Sequence, residues 1–228
     1  MKKSRYSLVA VAIIAFAMPV HAQDFYTGVM GGLNFADMKI SFADPTMTNY
    51  ETKSRTLFAA GGFFGISLNE YLSVQLEPMY VAKGGLYSER STQEMKMKSS
   101  QLDLPLVAKV GFGEQVRPYV LAGPFMSIVL DANVEAELAG RVWEGDLSQV
   151  LKNTEYGVMF GAGVGIPVWK GSVLIEGRYA LGLSNLNKGG GFDLKSGNLI
   201  AGRITTDPND EIKSRNFLVM VGYQLPLN

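Results

Sequence analysis

The chain has 228 residues, 21 basic and 21 acidic, and no cysteine. That length suits one large β domain or at most two small ones, and the missing cysteine excludes disulfide stapling. The balanced charge lacks the concentrated basic footprint of a nucleic-acid binder.

The chain opens "MKKSRYSLVAVAIIAFAMPVHAQ", with Lys2, Lys3 and Arg5 ahead of an uncharged apolar run from Leu8 to Val20 and a small residue at Ala22. Basic start, short apolar run and small-residue site are the order of a secretory signal peptide. A membrane-spanning helix would need about 20 apolar residues, more than this run supplies. The expected division is therefore a signal peptide at 1–22 and one domain at 23–228. The exported part would keep 18 basic against 21 acidic residues, a net charge of −3. No apolar helix-length run follows Ala22, so a membrane location would require a barrel.

Strand signals then recur to the end of the chain. They are expected at about 25–38, 56–68, 72–82, 102–112, 117–130, 155–168, 173–185 and 217–227. In the third, Leu72, Val74, Leu76, Tyr80 and Ala82 share one face, opposite Gln75, Glu77, Val81 and Lys83. In the fourth, Leu102, Leu104, Leu106 and Val110 oppose Gln101, Asp103 and Lys109, and in the seventh Val173, Ile175 and Tyr179 oppose Glu176 and Arg178. In the last, Phe217, Val219 and Val221 oppose Asn216, Met220 and Gln224. Period-two alternation of this kind marks strands with one apolar face. The fifth and sixth are apolar or glycine on both sides, so pattern leaves their orientation open.

Tight turns at Asn69-Glu70, Gly113-Glu114-Gln115 and Trp169-Lys170-Gly171 alternate with long polar segments at roughly 39–55, 84–99, 131–154 and 186–214. Short turns at one end and long loops at the other are the pattern of an outer-membrane barrel. The expected fold is thus all-β, an eight-stranded antiparallel up-and-down transmembrane β-barrel. A lipocalin-like soluble barrel would reverse the two faces and enclose a ligand. Tyrosine and tryptophan favour the membrane reading. Tyr71, Tyr119, Trp169 and Tyr223 fall beside the short turns, and Tyr80, Tyr156 and Tyr179 toward the long loops, where two interfacial girdles would stand.

The charged faces then become a lumen network of Gln75, Glu77, Lys83, Asp103, Lys109, Glu176, Arg178 and Gln224. If Lys83 pairs with Gln101 across the third and fourth strands, Gln75 falls opposite Lys109, with Glu77 diagonal to it and able to form an ion pair. Catalysis finds little support. The single histidine, His21, lies in the predicted signal peptide, and the glycine run 161–165 lacks the helix a phosphate loop needs. No metal or cofactor set is recognised. Lys96 and Lys98 share one face beyond the expected membrane edge, where they could meet lipopolysaccharide phosphates, although a solvated strand extension is the favoured reading. "SQVLKNT" suggests a short helix capped by Ser148, and Gly189-Gly190-Gly191 suggests a long mobile loop.

"YVAKGGLY", "LDLPLVAKVGF", "RPYVLAGPF", "EYGVMFGAGVGI" and "GRYALGLSNL" together resemble the PorT-like "porin family" of small outer-membrane proteins. The likeness spans about 25–228. It implies a Gram-negative outer membrane, contact with outer-membrane lipid and lipopolysaccharide, and insertion by the barrel assembly machinery. The role expected is structural or interactive, with a small porin or passive channel as the alternative.

Intact-mass measurement of the exported protein is expected to give a chain beginning at Gln23; a product that retains His21 would contradict the cleavage site read here.

Overall fold

The computed structural model describes residues 24–44, 50–51, 53–89, 93–113, 115–138 and 140–227; the segment read as a signal peptide lies outside them. In chain order the strands are β1 (Asp24–Ser41), β2 (Tyr50–Glu51), β3 (Arg55–Ser67), β4 (Leu72–Leu76), β5 (Met79–Glu89), β6 (Gln93–Gly111) and β7 (Arg117–Leu138). There follow β8 (Arg141–Asp146), β9 (Thr154–Val168), β10 (Gly171–Gly182), β11 (Gly190–Ser196), β12 (Leu199–Thr206) and β13 (Glu211–Pro226).

Eight antiparallel walls form the barrel: β1, β3, β4 with β5, β6, β7, β9, β10 and β13. The last strand pairs with the first, from Tyr26 opposite Pro226 to Ser41 opposite Glu211, which closes the ring. Pro78 has no N–H to give, and it divides β4 from β5. The wall nevertheless stays continuous there, because Gly62 N–H donates to Pro78 O and Glu77 N–H donates to Pro105 O. One register runs through both pieces, with Leu72 opposite Val110 and Met79 opposite Asp103.

That register corrects one expectation. Lys83 stands opposite Ser99 and Ser73 opposite Lys109, two residues from the pairing that would have set Gln75 against Lys109. A two-residue slip keeps every side chain on its face, so alternation could not detect it.

The apolar faces point outward. Val29, Leu33, Phe58, Leu106, Val120, Phe160, Ile175, Phe217 and Val221 are all exposed on the barrel's surface, while the charged members of the alternating sets are buried inside. A soluble lipocalin-like barrel would show the opposite arrangement. Inward glycines leave room for large rings. A Cβ on Gly157 would lie 2.4 Å from the Phe125 ring, and one on Gly163 would meet Glu176 Cγ at 2.7 Å and the Tyr119 ring at 2.8 Å.

The strands outrun the bilayer. A transmembrane strand needs about 9–11 residues, and β7 has 22. Where β7 leaves the barrel the pairing steps from Gln101–Val129 to Ser100–Asp131, leaving Leu130 as an extra residue. This bulge reverses the parity of β7: Tyr119, Leu121, Phe125 and Ser127 face inward below it, and Ala132, Val134 and Ala136 above it. The extended strands enclose a second apolar core of Met38, Val134, Leu147, Val150, Leu186 and Phe192, with others around them.

The long loops differ from expectation. Residues 148–150 make a single turn in place of a helix. Asp146 Oδ1, not Ser148, caps it by accepting the Ser148 N–H at 2.8 Å, and Leu151 N–H closes on Leu147 O at 2.9 Å. The fourth loop is a built hairpin, β11 with β12, joined to β8 through Lys195 opposite Glu144. Its base is pinned by buried Asn187, whose Nδ2 donates to Asp207 O (2.6 Å) and Asp210 O (3.0 Å).

Leu106 stands at the middle of the outward apolar run of β6. Leu106→Arg is expected to cost about 2–4 kcal/mol of folding stability in lipid vesicles, read by urea titration; an unchanged midpoint would place this face away from lipid.

Candidate functional site

Two tiers of charge cross the barrel interior. In the inner, periplasmic tier, β10 supplies Glu176 and Arg178 from successive inward positions, and the wall β4–β5 supplies Gln75 and Glu77. Arg178 makes a two-pronged contact with Glu77 and also bonds Glu176. The other Glu176 oxygen accepts from Lys109 Nζ at 3.0 Å and from the Tyr119 hydroxyl. Gln75 Nε2 donates to Glu77 Oε1 at 2.7 Å. Lys109 Nζ also lies over the rings of Tyr119 (5.0 Å) and Phe63 (5.7 Å). Two cations thus meet two carboxylates, and the planar guanidinium satisfies both acids at once.

The outer tier is built on Lys83. Its Nζ lies 3.0 Å from Asp103 Oδ2 and 3.2 Å from both Glu155 Oε2 and Ser127 Oγ. Ser214 donates to the second Glu155 oxygen, Asn216 Nδ2 reaches Ser214 Oγ at 3.5 Å, and Asn34 Nδ2 reaches Asn216 Oδ1 at 3.2 Å. Side chains from β1, β5, β6, β7, β9 and β13 therefore join in one hydrogen-bonded chain. Desolvating such charges costs several kcal/mol each, so each tier can persist only through mutual pairing.

Seven residues expected inside, Gln75, Glu77, Lys83, Asp103, Lys109, Glu176 and Arg178, are buried in these tiers. Their partners were not foreseen: Lys109 pairs with Glu176 across the barrel, and Glu77 pairs with Arg178. Gln224 stands apart from both tiers. It lines a cavity of about 170 Å³ at the periplasmic mouth with Tyr26, Ser73, Lys109, Arg117 and Tyr119. Glu155, Ser127, Ser214 and Asn34 were missed. Glu155 carried a readable signal, since it alternates with Tyr156 at the start of its strand.

Of the aromatic residues, Tyr119 is corrected: it is 9% exposed and points into the lumen. Glycine and proline on both faces of its strand had hidden that orientation. Near the short turns Tyr71 is exposed against Phe112, Tyr223 donates to Val168 O at 3.1 Å, and Trp169 is 89% exposed. Toward the other end Tyr80 stacks on Phe58, Tyr179 lies against Phe160, and Tyr156 is exposed. Lys98 is paired with Glu135, which stands opposite Lys96 in the ladder.

An eight-stranded closed barrel, apolar outside and charged within, defines a class of membrane protein. The family described as outer membrane protein beta-barrel domain matches residues 21–188. The chain belongs to that family, and its place is the bacterial outer membrane. Among solved structures it is similar to Ail, the attachment invasion locus protein of Yersinia pestis, at 11% identity and a TM-score of 0.42, covering 88% of this chain and 98% of that one. It is also similar to OprG of Pseudomonas aeruginosa, at 11% identity and a TM-score of 0.47, covering 90% and 96%. Outer membrane protein W of E. coli matches at 17% identity and a TM-score of 0.34, covering 90% and 99%. No curated protein matches the sequence.

Removing the guanidinium while leaving its acids buried is the sharpest test of the inner tier. Arg178→Leu is expected to lose about 3–5 kcal/mol, and pairing it with Glu77→Gln should recover part of that loss, both read by denaturant unfolding from vesicles.

Proposed function

We propose that this protein is a closed, non-enzymatic barrel that serves as a structural or interaction element of the outer membrane. The observation that carries this reading is the pair of charged tiers across the lumen, whose members engage one another at direct hydrogen-bonding distances. Eight strands enclose a space that side chains can fill. Paired buried charges need no column of water, whereas a porin would need them solvated along a continuous path.

The non-enzymatic reading rests on side-chain chemistry. Beyond Ala22 the sequence has neither histidine nor cysteine, which removes the usual general base and thiol nucleophile of acyl transfer and peptide cleavage. Asp103 and Glu176 are the carboxylates that could act instead, and each is held by a buried cation.

Contact with partners then falls to the extracellular pole. There β8, β11, β12 and the upper parts of β6 and β7 stand around their own apolar core. Lipopolysaccharide is proposed to meet Lys96 and Lys98 on the outer face of β6, in competition with Glu135. Insertion is assigned to the barrel assembly machinery, and the finer kinship proposed is with the PorT-like porin family.

In planar bilayers the wild-type barrel is expected to give no stable conductance, and with phospholipid, lipid A or peptide substrates no hydrolysis. A steady open level whose ion selectivity changes in Lys109→Glu would make the protein a pore. Robust hydrolysis that disappears in Asp103→Ala would make it an enzyme.

A further inference from the structure

The two tiers differ in charge. The inner tier sets Lys109 and Arg178 against Glu77 and Glu176 and is neutral. The outer tier sets one cation, Lys83, against two carboxylates, Asp103 and Glu155, whose side chains are 3% and 0% exposed. A negative charge of one is therefore left over in a space that solvent barely reaches.

Its position can be read from the bonding. Both Glu155 oxygens are engaged, one by Ser214 and one by Lys83. Asp103 Oδ2 is held by Lys83 and the carboxylate also takes a hydrogen bond from the Ser127 hydroxyl opposite it, while Asp103 Oδ1 has no hydrogen-bond partner. The adjacent inward residue on β6, Gln101, is 1% exposed and its Oε1 is likewise unpartnered; its amide nitrogen reaches Ser99 Oγ at 3.3 Å. Asn34 Oδ1, on the same hydrogen-bonded chain, is a third such atom. Among the described residues the buried side-chain atoms without a partner are these three and Gln75 Oε1 of the inner tier, all of them oxygen acceptors. Acceptors beside an excess negative charge call for positive charge, since an unpaired buried ion is costly.

The surrounding charges do not supply it. Above, Arg55 directs its guanidinium to Met97 O at 3.0 Å. Below, Arg178 and Lys109 are matched by Glu77 and Glu176. Ser127 from β7, Ser214 and Asn216 from β13 and Asn34 from β1 are neutral. Among the described residues no group of three or more histidines, cysteines or carboxylates gathers to hold a multivalent metal, so the demand is for a single charge.

We propose that the outer tier binds one small monovalent cation, H⁺ or Na⁺, at Asp103 Oδ1 with the Gln101 amide oxygen as its second acceptor. A proton there turns Asp103 Oδ1 from an unpartnered acceptor into a donor on the inward face it shares with the unpartnered Gln101 oxygen. A sodium ion would be held by the same oxygens. Asp103→Asn removes the excess charge while leaving an oxygen for Lys83 and adding an N–H₂ donor. Glu155→Gln removes the same charge from the other side.

The experiment uses the full exported chain folded in detergent micelles, with folding of each variant checked by heat-modifiable gel migration. Infrared spectra at neutral pH report a protonated carboxyl through its C=O absorption, and thermal midpoints are compared in sodium chloride and choline chloride at equal ionic strength. A carboxyl band present in the wild type and lost in both variants assigns the proton. With no such band, a midpoint raised by sodium over choline in the wild type, and insensitive to that exchange in both variants, assigns sodium, because a ligand bound only to the folded state stabilises it. A band that survives in either variant, or the absence of both the band and a sodium response that the variants lose, overturns the proposal.

Discussion

In hydrocarbon, a peptide group without a hydrogen-bond partner costs several kcal/mol, so a sheet can cross a bilayer only if it has no edge. The seam between β13 and β1 meets that requirement here, and the remaining architecture depends on it. Once the ring closes, each strand has one face toward lipid and one toward an interior too narrow to be a second solvent. The outward faces carry Leu, Val, Ile and Phe because their surroundings are apolar. The inward faces carry charge because each charged group can find a partner across the lumen.

Packing inside the ring exchanges size between facing walls. Gly163 on β9 leaves room for Tyr119, which donates its hydroxyl to Glu176; Gly157 does the same for Phe125, whose ring lies 5.2 Å from Lys83 Nζ. Small residues on one strand thereby place donors and rings from another where the buried carboxylates and ammonium groups need them. The glycine-rich strand β9 is the counterpart of the charged strand β10, and neither face is intelligible without the other.

Above the membrane the same strands serve a different solvent. The bulge at Leu130 switches which side of β7 faces inward, so Ala132, Val134 and Ala136 enter the extracellular core while Glu135 turns out to meet Lys98. Without the extra residue the polar side of β7 would point at Phe192 and Leu147. One inserted residue lets a single long strand be lumen wall below and scaffold for the loops above. The loops are consequently ordered by burial: Leu147, Val150 and Leu151 hold the third against the core, and Leu186, Phe192 and Leu194 hold the fourth.

Alternation determined the number of barrel walls and which residues share a face, because a period of two is imposed on every strand by its backbone. The choice of the lipid-facing side came from the placement of tyrosine and tryptophan. Of the eight polar residues expected in the lumen, seven are buried in the tiers while Gln224 lines the cavity at the mouth. Turn and loop lengths determined which end each strand finishes at. What alternation cannot carry is distance around the ring. Register slips by two leave every face unchanged, so the partners Lys109–Glu176 and Arg178–Glu77 were decided only when eight walls closed at a particular stagger. The orientation of Tyr119 was invisible for a related reason: its strand is small or apolar on both faces, and only the neighbouring glycines of β9 decide which side can hold a ring. The unequal charge of the two tiers belongs wholly to the tertiary structure, since Lys83, Asp103 and Glu155 lie on three different strands and become one electrostatic unit only inside the barrel.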